Sequence, residues 1–142
     1  MFTETRTYSS ELPQLGLMRD FVGDACRKEW SRATDEAGIR QLELALQEAG
    51  ANVIEHAYQG KAGQPIVLVL ETLTDQIRVT LVHNGVSFDP RSLPKPRFDG
   101  AREGGFGVYM MEQLVDHLTY FREADGRSAV RLVKYRTRSG RE

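Results

Sequence analysis

A chain of 142 residues suits one domain with one core, and a formal net charge of −1 supplies no field that would favour nucleic acid or an anionic membrane. The longest uninterrupted apolar run, Ile66 to Leu70, is far too short to span a bilayer, and the N-terminus is polar from Thr3 onward, without the apolar stretch of a signal peptide. A single cysteine, Cys26, excludes an internal disulfide and any cysteine-based zinc cluster; its neighbours Phe21, Val22 and Ala25 mark it as a core filler. Together these features predict a soluble cytoplasmic protein.

The first element is a strand over Phe2 to Tyr8, where Thr3, Thr5 and Thr7 alternate. Ser10 reads as a helix cap and Pro13 sits in the first turn, where its missing N–H costs nothing. The helix that follows, Glu11 to Ser31, turns Leu12, Leu15, Met18, Val22, Ala25 and Trp30 inward. Thr34 or Asp35 caps a second helix with Glu36 near its positive end. That helix buries Ile39, Leu42, Ala45, Leu46, Ala49 and Val53 and should end near Tyr58 to Gly60, before the loop QGKAGQP.

Two β-branched, alternating strands come next, Ile66 to Thr72 and Gln76 to His83, turning at Thr74-Asp75. A long loop leads to a third helix, Gly105 to His117, with Val108, Met111, Leu114 and Val115 inward. Leu118 to Glu123 and Ser128 to Thr137 then form a closing hairpin around Asp125-Gly126. This order predicts a single α+β domain over 1–142, a two-layer sandwich with helices on one face of a mostly antiparallel, mixed sheet.

Three segments break the local rules. In LALQEAGANVIEHAY, Glu48, Asn52 and His56 follow one another at i, i+4, with Glu55 beside them, forming a polar stripe on a largely apolar helix. The solvated back of an amphipathic helix has the same pattern. Against that, Ala45, Ala49, Ala51 and Ala57 border the stripe and leave room, and Gly50 in mid-helix costs about 1 kcal/mol relative to Ala. The second segment, Asn84 to Gly104, is long for a compact domain, stiffened by Pro90, Pro94 and Pro96 and hinged at Asp99-Gly100 and Glu103-Gly104-Gly105. The third is GGFGVYMMEQLVD, where glycines at 104, 105 and 107 lead into a helix whose first N–H groups can face an anion.

The order of these segments, with HNGVSFDP between the outer two, resembles the histidine-kinase-like ATPase superfamily (the GHKL or Bergerat fold), and within it the anti-sigma factor serine/threonine kinases. The resemblance runs from the first strand to the final hairpin, and its most specific details are EHAY and SFDP. It implies a Bergerat ATP-binding fold with ATP and Mg as cofactors, a lid at about 85–104, Asn52 as metal ligand and Glu48 as general base. His56, His83, Gly85, Gly104, Gly105, Phe106 and Gly107 would complete the nucleotide site with Asn52. It further implies a sigma factor and an anti-sigma antagonist (STAS domain) protein as partners, a homodimer, and no direct contact with nucleic acid or membrane. No phosphoacceptor helical hairpin precedes the domain, so a complete sensor kinase is not expected.

One position departs from the family pattern. His83 stands where the family has an aspartate that binds the adenine amine, and it is in phase with Ile77, Val79 and Leu81. A neutral imidazole can accept one hydrogen bond but offers fewer acceptor sites than a carboxylate. The alternative expectation is therefore a partner-switching module that keeps the fold and has lost nucleotide binding. Lys134, Arg136 and Arg138 read as a solvated strand edge, and Met110 and Met111 as core and lid packing.

Overall fold

A computed structural model describes residues 2–87 and 106–137, and within the third helix the side chains of Tyr109 and of Met111 onward. The elements are β1 (Phe2–Ser9), α1 (Leu12–Glu29), α2 (Glu36–Asn52), β2 (Pro65–Thr72), β3 (Gln76–His83), α3 (Phe106–Leu114), β4 (His117–Arg122) and β5 (Ser128–Tyr135). A 3₁₀ turn, Ala33–Asp35, leads into α2, and a π-helical turn, Val53–Ala57, leads out of it.

The sheet has the order β1-β2-β3-β5-β4 with every pairing antiparallel, so the expected mixed character is absent among the described strands. β3 is central because it has neighbours along its full length, from Ile66↔His83 to Thr72↔Ile77 on one side and from Gln76↔Tyr135 to His83↔Ser128 on the other. One face of the sheet carries Ile66, Leu68, Leu70, Ile77, Val79, Leu81, Val130 and Leu132 into the core, where they meet Leu15, Met18, Val22 and Cys26 of α1 and Ile39, Leu42 and Leu46 of α2. Each fully buried side chain of this size contributes about 1.5–3 kcal/mol. Met111 of α3 is also fully buried, and Cys26 lies in the core as its neighbours predict, its thiol pushed up to about 12 by burial.

Several local expectations need correcting. Ser10 does not cap α1: its hydroxyl donates to the Lys61 carbonyl and accepts from the Gln64 N–H, tying the helix start to the loop before β2. Leu12, the first residue of the helix, is exposed, and the inward face begins at Leu15. Gly50 leaves no gap for a ligand; a Cβ there would lie 2.5 Å from Leu15 Cδ2, so the glycine lets α1 and α2 approach.

Asp35 does not cap α2 either. Its fully buried carboxylate receives Arg136 (Nη2 at 3.0 Å) and Arg32 (Nη2 at 3.3 Å), while Arg136 also lies over the Trp30 ring. Burial pushes the Asp35 pKa up, but the bonds from Arg136 and Arg32 outweigh it and hold the carboxyl below its usual value. Lys134 reaches Gln41 Oε1 (2.7 Å) and the Leu114 carbonyl (2.8 Å). Lys134 and Arg136 are thus internal ties between β5 and the helices, not a solvated edge; Arg138 and the side chain of Met110 lie outside the described residues.

Candidate functional site

The site forms where the C-terminal ends of α2 and β3 meet the β4–β5 hairpin. A cavity of about 370 Å³ there is lined by Ala49, Asn52 and Val53 of the helix, by His83 and Ser87, and by Tyr120, Arg122, Ser128 and Val130 of the hairpin strands. A second hollow of about 340 Å³ shares His83, Ser87, Arg122 and Ser128 and extends to Asn84, Gly85 and Arg127.

The local sequence explains why a cavity opens at this end. After Asn52 the helix widens into the π turn, which breaks the fourfold counting that put Asn52 and His56 on one stripe. Tyr58 closes it: its N–H bonds the Val53 carbonyl, its hydroxyl donates to the Pro65 carbonyl, and the same oxygen accepts the Asn84 N–H at 2.9 Å. The Ala57 carbonyl accepts the Val86 N–H at 2.8 Å, docking the His83-Asn84-Gly85 turn on the helix end. A Cβ at Gly85 would fall 2.5 Å from that carbonyl oxygen, so the turn needs glycine for the approach itself.

Two anticipated residues meet in the cavity. Asn52 brings a buried side-chain nitrogen with no hydrogen-bond partner, a costly arrangement in a domain that satisfies its other described polar groups almost completely. His83 is only 5% exposed and sits edge-on to Tyr58, with ring centroids 5.9 Å apart. Its inward direction follows the β3 alternation, as expected. Its hydrogen bonding does not: Nδ1 accepts the Gly85 N–H at 3.2 Å, so the ring's acceptor is occupied by its own turn. Burial lowers the His83 pKa from its ordinary value, favouring the neutral ring.

The other candidates are placed less centrally. Glu48 is half-buried one turn before Asn52 and does not line the cavity; His56 is half-buried and Glu55 exposed, both on the π turn. Phe106 and Gly107 open α3, with the Phe106 side chain not described, while Gly104, Gly105 and the loop from Phe88 onward, with Asp89, Pro90 and the lid hinges, lie outside the described residues. Sequence reasoning missed Tyr58 as the clamp of the turn and missed the hairpin wall of Tyr120, Arg122 and Ser128. Tyr120 shares the inward phase of Leu118, but only the pairing of β3 with β5 brings that phase to the end of α2.

A metal fits this site in one way. Among the described residues no group of three or more His, Cys, Asp or Glu side chains could hold an ion alone. Mg²⁺ does not need such a cage: it binds through one or two protein oxygens, with phosphates and waters completing its shell. Asn52 offers a single amide whose oxygen and nitrogen exchange by a half-turn, with the buried end unsatisfied by protein.

Comparison with known proteins agrees with the geometry. Residues 8–134 match the family described as Histidine kinase-like ATPase domain. Proteins named Serine-protein kinase RsbW from three strains of Staphylococcus aureus are 30% identical over 95 residues, which is 61% of this chain. The matched region spans 60% of the length of those relatives. With a five-stranded antiparallel sheet, helices on one of its faces, and a match that takes in β2, β3, β4, all three helices and β5 up to its last residue, the chain belongs to the histidine kinase-like ATPase domain family.

Proposed function

We propose that this chain is an anti-sigma-factor-type switch that binds Mg-ATP, phosphorylates a serine of an anti-sigma antagonist (STAS) protein and sequesters a sigma factor in the cytoplasm as a homodimer. The observation that carries the reading is Asn52, a cavity-lining residue whose buried side-chain nitrogen has no hydrogen-bond partner. Asn52 would hold the metal through its amide oxygen, and Mg²⁺ would supply charge neutralisation for the triphosphate. Glu48, half-buried one helical turn before it, would accept the proton of the incoming serine hydroxyl. The N–H groups opening α3 at Phe106 and Gly107, with those of Gly104 and Gly105, would face the phosphates, and His83, Gly85 and His56 the remainder of the nucleotide.

The test has two parts. Calorimetric titration should detect Mg-ATP binding that Asn52→Ala abolishes. Labelled ATP with a cognate antagonist domain should then yield phosphoserine, and Glu48→Gln should slow transfer about 10²- to 10⁴-fold. Wild-type binding without transfer would leave a nucleotide-dependent switch that is no kinase, and sedimentation at micromolar concentration decides the dimer. A second reading, a partner-exchange module that has lost nucleotide binding, is favoured by the internal bond that occupies His83 Nδ1. Absence of any nucleotide binding at millimolar concentration would establish it over the first.

A further inference from the structure

We infer that two copies of this chain join edge to edge through β1, antiparallel about a twofold axis at Thr5, so that their two sheets become one. This rests on the homodimer of the reading above and names the surface that forms it; no part of it depends on nucleotide binding.

β1 is an edge of the sheet, with β2 as its one neighbour among the described strands. Edge strands are ordinarily guarded by proline, lysine, a bulge or shortness. β1, FTETRTYS, has neither proline nor lysine, and its eight residues pair with β2 without a break in register, from Phe2↔Thr72 to Ser9↔Pro65.

The direction of its outer backbone groups follows from the hairpin beyond it. The Leu73 N–H bonds the Gln76 carbonyl, so the odd-numbered residues of β2 turn their backbone groups to β3 and the even-numbered ones to β1. Ile66, Leu68 and Leu70 face Tyr8, Arg6 and Glu4, whose backbone groups therefore point inward. Thr3, Thr5 and Thr7 then direct their N–H and carbonyl groups out of the sheet. Ser9, in the same phase, agrees: it lies opposite Pro65, which has no N–H to give, and its own N–H goes to Gln14 Oε1 at 3.3 Å.

One register serves all of these groups. With the axis at Thr5, that residue faces its own copy and Thr3 faces the second copy's Thr7, each pair exchanging both backbone bonds. The same register sets Glu4 against the second copy's Arg6 and Phe2 against its Tyr8. Threonine pairs, opposite charges and aromatic pairs are the cross-strand combinations that stabilise a sheet. A slip of two residues sets Glu4 on Glu4 or Arg6 on Arg6, and a slip of one turns outward groups onto inward ones.

The axis stands perpendicular to the sheet, so both copies keep their helices on one side. There Arg6 pairs with Glu4 at 2.6 Å and lies 3.9 Å over the Phe21 ring of α1. A groove of about 340 Å³ between β1 and α1 carries both signs of charge, with Glu4 and Asp24 against Arg6 and Lys28, as a surface that meets its own copy requires. β4, the opposite edge, lacks this symmetry: HLTYFR carries Arg122 and no acid.

Sedimentation of the full chain across the micromolar range tests this. Wild type should be dimeric. Glu4→Lys sets like charges opposite one another at both symmetry-related pairs, and so does Arg6→Glu; each should raise the dissociation constant at least about tenfold. Mixed one to one, the two variants complement each other's charges and should dimerise again. Thr5→Pro removes the central outward N–H at no cost in bonds within the chain, and should leave monomers whose far-ultraviolet circular dichroism matches wild type. Dimers that survive these substitutions overturn the inference and leave the homodimer standing on another surface. Charge variants that turn monomeric and stay so when mixed overturn the register, and the inference with it. A wild type that is monomeric throughout removes the homodimer from the reading above, and this inference falls with it.

Discussion

The two ends of α2 are built on opposite terms. At its start, Asp35 is fully buried and saturated: Arg136, Arg32 and the Arg32 backbone N–H all point at one carboxylate. At its finish, Asn52 is left with an unsatisfied buried nitrogen, the helix widens into a π turn, and a backbone carbonyl is given away to the strand exit. One helix thus carries an anchor at one end and an open seat at the other. The anchor spends its polar groups on the fold. The seat withholds one, the Asn52 nitrogen, and a withheld polar group beside a cavity calls for an explanation that the anchor does not need.

Breaking the anchor should have the largest effect on stability. Asp35→Ala leaves Arg136, itself only 20% exposed, without its counter-charge, and urea unfolding should report a loss of about 3–5 kcal/mol. Overfilling the seat comes next. Gly85→Ala drives a Cβ into the Ala57 carbonyl and should cost about 1–3 kcal/mol and weaken nucleotide binding with it. Gly16→Ala is the matched control: nothing stands closer than 4.0 Å to its new Cβ, so this substitution in α1 should be neutral or stabilise by up to about 1 kcal/mol. Asn52→Ala sharpens the contrast from the other side. Removing an amide whose nitrogen has no partner should change unfolding free energy by no more than about 0.5 kcal/mol, even as the metal-dependent binding disappears. If Asn52→Ala unfolds the protein, Asn52 belongs to the anchor's logic and not to the seat's.

The smallest expected effect is one of pH. Burial holds the His83 pKa below its ordinary 6.5, so the unfolded chain takes up this proton first as pH falls. Its contribution to stability is complete above about pH 6.5 and is lost progressively from there down to the folded value. The thermal midpoint of wild type should therefore decline more steeply below about pH 6.5 than that of His83→Gln. Parallel curves would mean that the ring is protonated as readily in the fold as out of it.

Much of the fold was legible because its periodicities are clean. Ile77, Val79, Leu81 and His83 alternate without a break, and β3 runs from Gln76 to His83 as the sequence indicates. The six apolar positions assigned to the inner face of α2 and its extension are all buried. What sequence could not give were the groups whose partners are remote in the chain. Asp35 looks like a cap because its Arg136 lies a hundred residues away, and Ser10 looks like one because Lys61 and Gln64 are reached only after both helices. In the site, the polar residues on α2 and β3 stood out against apolar neighbours, whereas Tyr120, Arg122 and Ser128 sit in an ordinary hairpin. The bond that occupies His83 Nδ1 comes from a turn two residues ahead, a detail of geometry that no residue pattern encodes.

Trp30 gives the anchor end a practical consequence. It is the one tryptophan in the chain, 2% exposed, with its indole N–H donating to the Leu73 carbonyl and Arg136 stacked 5.5 Å from its ring. Leu73 precedes β3, and His83 ends it; the seven steps from Gln76 to His83, at about 3.3 Å each, put roughly 23 Å between the two ends of the strand. Intrinsic fluorescence excited at the indole band is accordingly a reporter of whether the anchor holds. It should follow unfolding faithfully and stay silent when the distant cavity fills, so titrations of that cavity call for heat or a labelled nucleotide as the signal.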